Sequence, residues 1–184
     1  IGNLSALVVA RDQARKKFPD TARWVIACSA ESHSSITSAA HVMDVDILKI
    51  ETNEELRLDG AHVGPAIDDL HATTNRRVFA IVGTAGSTNL GIVDDLATLA
   101  TTAKERDIWF HVDGAYGLAG LCAPSVRHLF NGVESADSFI VDPHKWLFAP
   151  FDACALVYRN PELAKETHTQ HASYLETLHD DSWS

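Results

Sequence analysis

The sequence predicts an α/β fold of three layers, with helices covering both faces of an open, mostly parallel sheet. Two observations carry that expectation. Strand-length apolar runs alternate with helical stretches almost throughout the chain. The runs, such as residues 24–28 and 78–82, are apolar at consecutive positions, as parallel strands buried on both faces require. A third observation bears on function. Polar residues collect where these runs end, and in such sheets ligands bind beyond the carboxyl ends of the strands.

The elements follow in order. Leu4, Leu7, Val8 and Phe18, with Arg11, Arg15, Lys16 and Lys17 between them, predict an amphipathic helix that Pro19 and Asp20 end. Residues 24–28 predict a strand. Ser34 is the expected cap of a second helix reaching about Met43. Residues 47–50 predict a strand, and Gly64-Pro65 the opening of a helix to about Thr74. Residues 78–82 predict a buried strand, followed by a loop of small residues, 83–89. A helix is expected over 94–106, with Asp94-Asp95 at its start, then a strand over 108–113. A short helix over 125–130, strands over 138–142 and 153–158, and a helix from Pro161 complete the pattern. Asp180-Asp181 reads as a solvated tail. With no repeat, low-complexity tract or linker, no domain boundary falls within the chain.

Composition narrows the function classes. The 184 residues carry a net charge of −10, with 46% hydrophobic and 22% charged residues, the proportions of a globular chain. The acidic balance argues against a nucleic-acid or anionic-membrane surface. No apolar run approaches the ~20 residues of a membrane helix. Three widely spaced cysteines, Cys28, Cys122 and Cys154, form no CxxC pair. Cys28 and Cys154 lie in apolar segments, and a reducing, cytoplasmic location is expected. No signal peptide is expected either.

Four strand-exit segments can face one cleft: 29–33, 84–89, 113–116 and 142–145. Lys145 follows a buried strand, and Trp146, Leu147 and Phe148 are expected to desolvate its amine. Desolvation frees a lysine lone pair for Schiff-base chemistry. The alternative is a solvated surface charge. Asp113 ends an apolar strand, either as a turn former or as a buried acceptor. Gly114, Ala115 and Gly117 leave room for a flat ligand. His33 is either a loop histidine bonded to backbone or an imidazole that stacks on a planar ligand or moves protons. A lysine amine, a carboxylate for a ring nitrogen, a flat imidazole and small neighbours together meet the needs of pyridoxal phosphate.

Longer motifs sharpen this. His111-Val112-Asp113-Gly114-Ala115-Tyr116, then Ala136-Asp137-Ser138-Phe139, then Asp142-Pro143-His144-Lys145-Trp146-Leu147 strongly resemble the group II pyridoxal-phosphate-dependent amino-acid decarboxylases. This family includes the aromatic-L-amino-acid, glutamate and diaminobutyrate decarboxylases. Glu31-Ser32-His33-Ser34-Ser35 and residues 83–88 match as well, so the resemblance spans essentially the whole chain. It implies the large, cofactor-binding domain of the fold-type I pyridoxal-phosphate enzymes. It implies decarboxylation of an L-amino acid to the amine and CO₂, in a homodimer with its active site near the subunit interface.

Residue by residue, the resemblance implies that Lys145 is the Schiff-base lysine and that Asp113 pairs with the pyridine nitrogen. It places His33 stacked on the ring, Ala115 against the other face, Ser87 and Thr88 near the cofactor, and His144 on the phosphate or substrate side. Asn3 belongs to the helix after the phosphate-binding turn. Gly114 stands where many relatives have Ala, and Asp142 where many have Asn. A carboxylate at 142 is expected to avoid direct contact with a phosphate. Residues 1–184 are expected to be a central piece of the large domain. The phosphate turn, the mobile loop and the small C-terminal domain are expected outside it, and the piece alone is not expected to turn over.

Other chemistries remain open at this level. Transamination and β-elimination use the same lysine and aspartate. A truncated, non-catalytic subunit is another reading. A metal-dependent hydrolase built on His111, Asp113 and His144 lacks any HExxH-like spacing.

Overall fold

A computed structural model describes residues 1–169. Helix α1 (Gly2–Lys17) is followed by β1 (Arg23–Ser29), α2 (Ser34–Met43), β2 (Asp46–Ile50), α3 (Gly60–Thr73) and β3 (Arg76–Thr84). Then come α4 (Leu96–Glu105), β4 (Trp109–Asp113), β5 (Ser138–Val141), β6 (Ala155–Tyr158) and α5 (Pro161–His168), with three 3₁₀ turns between β4 and β5. The strands form one six-stranded sheet in the order β2-β1-β3-β4-β5-β6. Strands β1 to β5 pair in parallel, and β6 runs antiparallel to β5 at the edge.

The expected three layers follow from the side chains of β1. Val25 and Ala27 point into one core with Ile67 of α3 and Leu99 of α4, while Ile26 and Cys28 point into another with Leu7 of α1 and Ile36 of α2. Strand side chains alternate between faces, so a run apolar at every position needs a helical layer on each side. The chain leaves β1 toward β2 and leaves β3 toward β4, in opposite directions across the sheet. The exits of β1 and β3 therefore flank a topological switch point, where ligands bind in open α/β sheets.

Several local expectations change. Helix α2 is capped by His33, whose side chain accepts from Ser35 N, and Ser34 is already helical. Helix α3 begins at Gly60, ahead of Gly64-Pro65, because Asp59 accepts from His62 N and provides an earlier cap. Pro65 sits inside the helix. Helix α4 starts at Leu96 with Asp95 as its cap. Asp94 is instead buried and accepts from Leu58 N at 2.8 Å and Thr84 N at 2.7 Å. Desolvation pushes its carboxyl up to about 6 despite those two bonds. Cys154, expected in an apolar setting, is exposed, whereas Cys28 is buried. The tail at Asp180-Asp181 lies outside the described residues.

Candidate active site

The exits of β1, β3, β4 and β5 line one cleft of about 340 Å³, the lower range of small-molecule sites. His33, Ser87, Thr88, Asp113, Ala115, His144 and Lys145 all border it, so the structure brings every sequence-predicted site residue together. Asn3, at the amino-terminal end of α1, borders it too. A larger hollow of about 700 Å³ opens at the other end of β4, where Lys17 is paired with Asp107 at 2.6 Å. None of the candidate reactive groups lines it.

The back wall is β4. His111 and Asp113, two residues apart on a strand, share a face. His111 is fully buried and Asp113 nearly so. Asp113 Oδ2 accepts from Asn3 Nδ2 at 2.9 Å, and Oδ1 accepts from Ala115 N at 3.2 Å. The β4 exit packs backbone to backbone on the β3 exit: a Cβ on Gly117 would lie 2.4 Å from Ala85 O. Gly86, facing Gly117, adopts a φ of +97°, which glycine tolerates and other residues rarely do.

The front is the segment after β5. Lys145 Nζ lies 3.0 Å from Asp142 Oδ2. Burial alone would raise the Asp142 carboxyl, but the Cys154 thiol beside it, the Lys145 ammonium and the His144 charge outweigh burial and hold it below its ordinary value. In turn, partial desolvation of the sulfur and then the Asp142 carboxylate push the Cys154 thiol up to about 11, although the residue as a whole is exposed. The expected desolvation of Lys145 by its neighbours is not found. Trp146, Leu147 and Phe148 are 45%, 47% and 86% exposed, and an ion pair takes the place of an apolar sleeve. His144 Nδ1 accepts from Ala153 N at 3.1 Å and lies 2.6 Å from Ala153 O, with Phe151 edge-on at 5.0 Å. Tyr116 stacks on Trp146 at 5.5 Å.

His33 Nδ1 accepts from Ser35 N at 3.1 Å, so its protonated nitrogen in the neutral ring is Nε2. The backbone-bonded reading of His33 and its place on the cleft thus hold together. Sequence reasoning missed the partners Asn3, Ser35 and Ser138. Asn3 meets Asp113 across 110 positions, a separation that no local pattern reveals. His111 engages both ring nitrogens, with Ser138 Oγ at 2.8 Å and Asn3 Oδ1 at 2.9 Å, which leaves none free for a metal.

The donor set suits pyridoxal phosphate. A primary amine stands ready for an aldehyde, and a buried carboxylate held by two N–H donors for a cationic ring nitrogen. The hydroxyls of Ser35, Thr84, Ser87 and Thr88 can receive a phosphate.

Comparison with known proteins follows the same line. Residues 2–183 match the model of the pyridoxal-dependent decarboxylase conserved domain. An aromatic-L-amino-acid decarboxylase of Bacillus atrophaeus is 33% identical over 96% of the chain and 37% of that protein. A 4-hydroxyphenylacetaldehyde synthase of Rhodiola rosea is 34% identical over 94% of the chain and 36% of that protein. The crystal structure of Oryza sativa TDC with PLP and tryptamine superposes with a TM-score of 0.88 at 29% identity, over 95% of this chain and 37% of that one. The chain thus spans little more than a third of the length of the relatives it matches.

Proposed function

The chain belongs to the pyridoxal-dependent decarboxylase family, and we propose that its work is the release of CO₂ from an L-amino acid, leaving the amine. The observation that carries this reading is one cleft holding Lys145 on one side and the buried, doubly bonded carboxylate of Asp113 on the other. We assign residues 1–184 to part of the cofactor-binding large domain.

When bound, the cofactor supplies an aldehyde for amines and a pyridine ring that takes up the electron pair left by departing CO₂. The chain's own residues do the rest. Lys145 is the amine that would hold the cofactor and that a substrate amine would displace. To do so the amine would have to leave Asp142, which holds the ammonium at 3.0 Å. Asp113 would hold a proton on the ring nitrogen. Burial makes its charge count for more than it would in water. His33 offers a flat face and an Nε2–H to the cleft. Ala115, Ser87, Thr88 and His144 complete the lining.

We also propose a homodimer. Phe148 and Phe151, 86% and 84% exposed beside the cleft, give apolar surface for a second subunit to cover. Free Cys28, Cys122 and Cys154 support a reducing, cytoplasmic setting. Among the described residues no helix is long and apolar enough to cross a membrane.

The test is to supply the full-length protein with pyridoxal phosphate and a panel of L-amino acids, then follow CO₂ and the organic product. CO₂ with an equal amount of amine supports the reading. CO₂ with an aldehyde would move the protein toward the synthases among its relatives, and a keto acid without CO₂ would mean transamination. No turnover of any amino acid would overturn it.

A further inference from the structure

Behind Asp113 runs a chain of hydrogen bonds that joins Trp109, Ser138, His111, Asn3 and Ser35. Trp109 Nε1–H can only donate, and its partner is Ser138 Oγ at 2.9 Å. The Ser138 hydroxyl lies 2.8 Å from His111 Nδ1 and can donate its own proton there. The parallel register of β4 and β5, which sets His111 opposite Ser138, makes this contact possible. Asn3 Oδ1 can only accept, so His111 Nε2, 2.9 Å away, carries a proton and donates to it, and in the neutral ring Nδ1 holds the lone pair. With its oxygen so engaged, Asn3 turns both amide protons forward. One goes to Asp113 Oδ2 and one to Ser35 Oγ, each at 2.9 Å. Ser35 Oγ lies 2.9 Å from His33 Nδ1, which also accepts from Ser35 N.

From this geometry we propose that His111, as the Nε2–H tautomer, is a positioning residue that acts through Asn3 to keep Asp113 an acceptor. The inference rests on the cofactor reading above. Its logic is that of a latch on an amide. Asn3 could be turned over so that its oxygen faced Asp113. Two oxygens would then meet at hydrogen-bond distance, and only a protonated carboxyl could satisfy the contact. A protonated Asp113 carries no charge with which to hold a cationic ring nitrogen. The Nε2–H of His111 makes that turned-over state costly, because the amide NH₂ would then face an N–H. Burial, opposed by the nearby Asp113 charge and by a hydrogen bond to the Ser138 backbone, pushes the His111 ring below its usual range, consistent with a neutral imidazole.

Two measurements on the full-length protein test the proposal. The first is ¹⁵N NMR of the histidine rings in cofactor-free protein at neutral pH. It is expected to show His111 with a bare Nδ1 and a protonated Nε2. A protonated Nδ1, or an imidazolium, would overturn the proposal. The second compares His111→Gln, whose amide nitrogen can replace the Nε2–H donor, with His111→Phe, which has no donor. Pyridoxal phosphate is expected to bind His111→Phe at least about tenfold more weakly than the wild type, and His111→Gln within about threefold. Equal losses in both variants, or none in either, would overturn the positioning role. The NMR result needs no cofactor, so it stands even if His111→Phe fails to fold. Failure of the wild type to bind pyridoxal phosphate at all would instead overturn the functional reading, and the relay's purpose with it.

Discussion

The two sides of the cleft are built differently. The back wall, β4 with Asn3 and Ser138 behind it, is buried and hydrogen-bonded at every polar atom that matters. Asp113 is gripped by two N–H donors, and His111 by a partner on each nitrogen. The front, residues 142–151, is a rim. Its amine is held by a single ion pair, and its aromatic side chains face outward. A preorganised wall can stabilise charge without rearranging, whereas a rim with an exchangeable amine has to let go of one partner to take another. The chemistry proposed here needs both: a carboxylate that never moves and an amine that must.

The sharpest break of this comparison is at the amine. Lys145→Ala in the full-length protein is expected to lower turnover by at least about 10⁴-fold. An initial-rate assay for CO₂ checks it, and a loss under tenfold would remove Lys145 from the reaction. Next comes the wall. Asp113→Asn keeps the shape but not the charge, and should cut kcat by about 10²–10⁴-fold while the fold persists, as judged by circular dichroism. Normal kcat in that variant would show that the wall does no electrostatic work.

A third effect concerns the wall's footing, where Asp94 ties the β3 exit to Leu58. Its carboxyl titrates at about 6 when folded, against 3.8 unfolded, so the folded state holds the extra proton between those values. Its contribution is therefore fully present below about pH 4 and is lost as pH rises through about 6, a change of roughly 3 kcal/mol. Denaturant melts of wild type and Asp94→Asn should give a stability difference that shifts against the wild type over that range. A flat or rising difference would contradict the assignment. The smallest effect belongs to the rim. Phe148→Ser with Phe151→Ser should weaken self-association about tenfold in sedimentation experiments and leave the stability of the subunit nearly unchanged. Undiminished association would show that this face is not the interface.

Much of this architecture was legible in the sequence because burial on both sheet faces writes itself as consecutive apolar residues, as at 24–28 and 78–82. The cleft was legible because the strands carry their polar residues at the exits, and Lys145, Asp113 and His33 stand there. What escaped was long-range or locally ambiguous. Asn3 reaches Asp113 only after α1 packs on the sheet. Asp59 preempted Gly64-Pro65 as the start of α3, because an aspartate cap outweighs a proline placed further in. Trp146, Leu147 and Phe148 read as an apolar sleeve for Lys145, but apolar residues in a loop do not have to turn inward. Here they face out, and Asp142 takes the amine.

The central claim is that the Lys145 amine is the group that captures the cofactor. The most direct measurement is to load the full-length protein with pyridoxal phosphate, trap the product with borohydride, digest it and map the labelled peptide. The account predicts a single label, on Lys145. A label on another lysine, or none in a protein that remains folded, would contradict it.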